Sequence, residues 1–113
     1  MDPDKYSNNI ERFWVKVFKI DSEVLVAICD EDLLGTTLVD LENSITIRVD
    51  PNFYGGELLE FDEIIPLLKE ATVVNVVGNK IVSRLIEAGF IDDNDKNFIT
   101  IRGVKHLQII TME

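Results

Sequence analysis

The sequence predicts a single α+β domain, built on a mostly antiparallel twisted sheet of about five strands with helices packed on one face. Three observations predict it. Runs rich in β-branched and aromatic residues lie near both ends of the chain, each broken by a short polar or glycine-containing turn, as in hairpins. Between them, apolar residues recur at helical spacing. At 113 residues and 46% hydrophobic content, the chain suits one core without disulfides or a structural metal.

The elements follow in order. Residues 1–11 carry almost no apolar periodicity and are expected to form a flexible tail, leaving residues 12–113 as the domain. Residues 13–20 and 23–29 read as two strands joined at Asp21-Ser22. Asp30 is positioned to cap a brief helical turn that Gly35 ends. Residues 36–43 read as irregular. The cleanest alternation is Ser44-Ile45-Thr46-Ile47-Arg48-Val49, a strand closed by Asp50-Pro51-Asn52.

Phe53 to Gly56 reads as a loop, and Asp62 as the N-cap of a helix through Lys69 with Pro66 in its first turn. Residues 72–77 are ambiguous. The valines alone suit a buried strand, but Val73, Val77, Ile81 and Leu85 form one helical stripe, so the segment is assigned to a helix ending at Gly89. Residues 92–97 form a polar loop. Residues 98–102 and 106–111 close the chain as a second hairpin.

Charge constrains the partners. With 21 acids against 11 bases the net charge is −10, which opposes non-specific attraction to nucleic acids or anionic membranes. No segment approaches the roughly 20 apolar residues of a membrane span, and the polar start lacks a signal-peptide core, so a cytoplasmic location is expected. Cys29 is the single cysteine, lies in an apolar run and reads as a small buried hydrophobe.

No catalytic, metal or cofactor set stands out. Cys29 and His106 lack zinc-ligand spacing, and neither the acids at 30–32 nor those at 92–95 have the glycine and glutamate of a calcium loop. Val77-Gly78-Asn79-Lys80 lacks the spacing of a phosphate-binding loop. His106 follows a glycine turn and could serve as a general base or a ligand donor, or could be satisfied at a strand end. Asn75, set among valines, either ties down the Gly55-Gly56 loop or touches a ligand. Together with Tyr54, Gly78 and Gln108 these residues make a candidate ligand or partner surface.

A second candidate surface is for RNA. Trp14, Lys16 and Phe18 alternate onto one side of the first strand, with Arg48, Arg102 and Lys105 on or beside other strands. Aromatics and cations on a sheet can stack single-stranded bases. Alternatively, Trp14 and Phe18 pack beneath other elements and the lysines are ordinary edge charges.

Several segments together resemble the archaeal family known as domain of unknown function 424, over roughly residues 13–112. They are Trp14-Val15-Lys16-Val17, the run from Val24 to Gly35, Phe53-Tyr54-Gly55-Gly56-Glu57, Ala71-Thr72, Asn75, Val77-Gly78, Glu87-Ala88-Gly89, and Gly103-Val104 with His106 and Gln108. Two positions depart from the pattern: Lys105, where the family suggests proline, and Leu107, where it suggests a smaller residue. The resemblance implies no activity. Three functions stay open: a non-catalytic module for a protein or ribonucleoprotein partner in RNA or translation processes, a direct RNA binder, and a small enzyme using His106 with the Gly55-Gly56 loop. The oligomeric state is left open.

Overall fold

The computed structural model describes residues 10–94 and 98–110, and every count below refers to these. Eight strands and three α-helices form an α+β fold whose main sheet has six strands, not five. The elements are β1 (Phe13–Ile20), β2 (Glu23–Asp30), β3 (Thr37–Asp40), β4 (Ile45–Arg48), α1 (Pro51–Tyr54), β5 (Glu57–Leu59), α2 (Phe61–Glu70), β6 (Val73–Val77), α3 (Asn79–Glu87), β7 (Ile99–Ile101) and β8 (Val104–Ile110). The main sheet runs β5-β1-β2-β6-β8-β7, antiparallel except for the parallel pair β2 and β6, and β3 with β4 forms a separate hairpin.

The segment 72–77 is the main correction, since its residues 73–77 form strand β6 at the centre of the sheet. A run of β-branched valines covered on both faces is what a central parallel partner of β2 needs. The helical stripe is real only from Asn79 onward, because Gly78, with φ +132°, breaks the chain direction between strand and helix. The end of α3 behaves as the sequence suggests. Gly89 adopts φ +81°, with the Gly89 N–H on the Ile86 carbonyl at 3.1 Å and the Phe90 N–H on the Leu85 carbonyl at 2.9 Å.

Other boundaries also move. Residues expected to be irregular supply β3, which pairs with β4, so the cleanest alternating strand lies outside the main sheet. Asp50 caps the short α1, its Oδ1 accepting from the Asn52 N–H at 2.9 Å with Pro51 at the first helical position. Helix α2 begins at Phe61 rather than after Asp62. The Glu63 carboxylate accepts from the Glu60 N–H at 3.0 Å, and Pro66 is therefore interior rather than in the first turn. The last turn is Arg102-Gly103, which puts His106 inside β8 rather than at its start. Residues 1–9 of the expected tail, residues 95–97 of the polar loop and position 111 lie outside the described residues.

The sheet is covered on both faces, so helices do not occupy one face alone. On the first face Phe13, Val15, Val26, Ile28, Val74, Val76 and Leu107 pack with Phe61, Ile64 and Leu68 of α2 and Ile81, Val82 and Leu85 of α3. On the second, Ala27, Cys29 and Val77 pack with Val49 and Tyr54, flanked by Trp14, Phe18, Leu33, Leu34, Leu38 and Phe53. Period-two alternation along β1, β2, β6 and β8 assigns each side chain to its face.

The sheet also tapers. In the register row of Trp14, six residues lie side by side: Leu58, Trp14, Cys29, Val77, His106 and Ile99. In the row of Phe18 only Phe18, Leu25, Val73 and Ile110 remain, because β5 and β7 are short.

Candidate functional site

The second face gathers Tyr54, Asn75, His106 and Gln108 of the first candidate surface and Trp14, Lys16 and Phe18 of the second. One register row places Lys16, Ala27, Asn75 and Gln108 side by side, and the row beside it holds Trp14, Cys29, Val77 and His106. Helix α1 lies over the members on β1, β2 and β6, while Gln108 on β8 is exposed. The buried Tyr54 donates its hydroxyl to Asn75 Oδ1 at 2.5 Å, which anchors the residue just before Gly55 to the centre of the sheet. Burial raises the Tyr54 pKa, so the phenol stays a donor.

The glycines of the set serve close approach. A side chain at Gly56 would collide with the Val15 carbonyl and come within 3.0 Å of Lys16 Cα, so glycine lets the chain join β5 to β1. Gly55 caps α1, its N–H on the Pro51 carbonyl at 2.8 Å. Both lie on the β1 side, whereas His106 is on β8; the cavity touching Gly56 is lined by Val15, Lys16, Val17, Glu57, Leu59 and Leu67, without His106.

The aromatics of the second candidate set are engaged with neighbouring groups. Phe18 stacks on Phe53 at 5.5 Å, Trp14 is half-buried against the second core, and Lys16 Nζ donates to the Asn52 carbonyl at 2.9 Å while lying 5.3 Å from the Phe18 ring. The remaining cations are not brought to this surface. Arg48 is exposed on the separate hairpin, Arg102 is in the β7–β8 turn, and Lys105 points to the first face, 5.4 Å from the Phe98 ring. Hydrogen bonds from Asn43, with a smaller contribution from the Arg102 charge, hold the Asp40 carboxyl below its usual range.

Sequence reasoning missed the role of Asp30, the one buried charged residue among the described residues. It caps no local turn. Its carboxylate instead accepts from the N–H groups of Ile81 at 2.8 Å and Lys80 at 3.0 Å, closing the start of α3 from the strand next to β6. Burial raises its pKa and the two backbone hydrogen bonds oppose that shift. Asn79 beside it clamps the β7–β8 turn, donating to the Gly103 carbonyl at 2.7 Å and accepting from the Lys105 N–H at 3.0 Å. These partners lie 24 to 51 positions away, so no local motif signals them.

This arrangement decides what the glycine turn after β6 can do. Strand, glycine and helix start resemble the place where phosphate binds in many α/β proteins. Here a carboxylate of the chain itself occupies the Lys80 and Ile81 N–H groups and repels an incoming anion. Cys29 is equally inert. Burial, then Asp30 and Asp32, push its thiol up to about 12, far from the thiolate form a nucleophile requires. Among the described residues no three of His, Cys, Asp and Glu converge as a metal site. No helix is long and apolar enough to cross a membrane.

His106 carries a pH prediction. Burial lowers its pKa below 6.5, so the folded protein favours the neutral ring. Its contribution to stability is present above the unfolded value and is lost as pH falls through the folded one. Urea unfolding at pH 7.5 and 5.5 should show a loss for the wild type, at most about 1.4 kcal/mol, that His106→Gln lacks. Asp30 acts with the opposite sign as pH falls, since its folded pKa is raised, so the difference between the two proteins is the quantity to read.

A tapered six-stranded sheet, covered on one face by α2 and α3 and on the other by α1 and a detached hairpin, defines a small α+β protein whose polar core groups are committed to holding it together. The chain belongs to the family described as protein of unknown function DUF424, whose model matches residues 18–112. It is similar to an uncharacterized conserved protein from Methanopyrus kandleri, known from a crystal structure, with 26% identity and a TM-score of 0.73 over 90% of this chain and 95% of that one. No curated protein matches it.

Proposed function

We propose that the protein is a non-catalytic binding module for a protein partner, working in the reducing cytoplasm that its lone buried cysteine suits. One observation carries this. Asp30, Tyr54, Asn75 and Asn79 are bound to one another or to backbone, the thiol of Cys29 is buried, and half-buried His106 stands on β8, apart from the Gly55-Gly56 loop. Among the described residues, backbone at the tapered end of the sheet is left without a neighbouring strand, beside exposed Ile20 and Ile110. A ribonucleoprotein is the natural extension of the same idea, with RNA held by the partner rather than by Trp14 and Phe18.

The test is affinity capture by the full chain from its native cell, with and without nuclease. A protein retained after nuclease treatment supports the module. Direct RNA binding would instead show capture lost on nuclease treatment and an affinity that falls with salt and weakens in Lys16→Glu.

A further inference from the structure

We propose that the open edge of β1 at Val17 and Lys19 takes an extended, net basic segment of a partner protein by strand addition, the segment carrying apolar side chains at alternate positions. The proposal rests on the protein-binding reading above and names its surface.

The register fixes which backbone groups are available. β1 and β2 are joined by the two-residue turn Asp21-Ser22 and pair from Ile20↔Glu23 back to Phe13↔Asp30. In such a ladder the N–H and C=O of Ile20, Phe18, Lys16 and Trp14 face β2, and those of Lys19, Val17, Val15 and Phe13 face the other way. Two bonds confirm the alternation on the neighbouring strand: the Val24 N–H donates to Thr72 Oγ1 and the Thr72 N–H to the Val24 carbonyl, each at 2.8 Å and directed away from β1. Phe13 and Val15 meet Leu59 and Glu57 of β5, but Val17 and Lys19 meet no strand among the described residues.

Cavities flank this stretch on the first face. One of about 400 Å³ is lined by Val17, Lys19, Val24, Val26, Leu67 and Glu70. Another of about 310 Å³ shares Val17 and Leu67 with it and reaches Gly56 and Glu57. A guest strand opposite Val17 and Lys19 would direct alternate side chains toward this apolar floor. Backbone pairing would supply affinity, and the two cavities would select side-chain size.

Charge favours a basic guest. Glu57 and Glu70 border the cavities and outnumber Lys19 there, Lys16 is held on the opposite face by the Asn52 carbonyl, and the chain carries a net charge of −10. A second copy is the poorer occupant, since it carries the same net charge of −10 and would set one acidic chain against another.

Selection of a random dodecapeptide phage library on the immobilised full chain tests the idea. Enriched peptides should carry a net positive charge and apolar residues at alternate positions, and bind Val17→Pro at least about 10-fold more weakly, because proline removes the outward N–H without touching the β2 ladder. With a selected peptide bound to the wild type, exchange of the Val17 and Lys19 amides should slow by about 10-fold or more. That measurement decides alone if the amide spectrum shows Val17→Pro unfolded. No enrichment over a blank surface, equal binding to folded Val17→Pro, or protection confined to other strands overturns the proposal. A peptide-free dimer protecting the same two amides replaces the partner with a second copy and also overturns it. A protein captured equally by wild type and Val17→Pro leaves the module standing and removes only its edge; no capture by either removes the module reading itself.

Discussion

Replacing Gly78 by alanine is expected to destabilise the domain by about 3 kcal/mol or more, measured by urea unfolding at pH 7. Two independent effects add here. At φ +132° and ψ 141° the residue occupies backbone space that an L side chain enters only at about 1–3 kcal/mol. The new Cβ would also overlap the Asp30 carboxyl carbon and lie 2.6 Å from Oδ2, and this carboxylate cannot retreat without releasing the Lys80 and Ile81 N–H groups. The effects can be separated. In an Asp30→Ala background the overlap disappears, so Gly78→Ala should then cost only its backbone strain, and the double variant should be less destabilised than the two single losses added. Strict additivity would show that glycine and carboxylate do not share the space assigned to them.

The second large effect is expected at Asp30 itself. Asp30→Ala should lower stability by about 2–4 kcal/mol, since it leaves one buried and one part-buried N–H without acceptors and removes a negative charge from the start of α3. Asp30→Asn should fall between. Its single amide oxygen can serve one of the two N–H groups, while losing the charge removes the desolvation cost that raises the carboxyl pKa. Equal stability of wild type and Asp30→Ala would mean that solvent satisfies the helix start instead.

These two residues also show where the sequence was legible. The β1–β2 and β7–β8 hairpins could be read because their information is local: alternating side chains and a short turn between strands. The glycine stop of α3 was local too. The strand at 73–77 was not. Its valines fit both a sheet and the first turns of a helical stripe, and only the presence of β2 on one side and β8 on the other chooses between them. β3 and β5 escaped notice because, at four and three residues, they owe their existence to the strands they pair with. For the candidate site, Asn75 could be singled out as a polar residue among valines and Tyr54 as part of its loop, but not their bond. Asp30 looked like a local cap because its true partners stand 50 and 51 positions further on.

The lone parallel pair also governs how the molecule assembles. β1–β2 and β7–β8 can each zip from their own turns within microseconds, whereas Val24 and Thr72, where β2 and β6 first meet, are 48 residues apart. Joining them closes a long loop before any contact rewards it, and that entropic step belongs to the rate-limiting barrier. The Asp30 bonds to α3 span the same gap, so they can form only after the two halves have docked. Weakening them should therefore chiefly accelerate unfolding and leave the refolding rate nearly unchanged, making this carboxylate a latch on the finished fold rather than part of its nucleus.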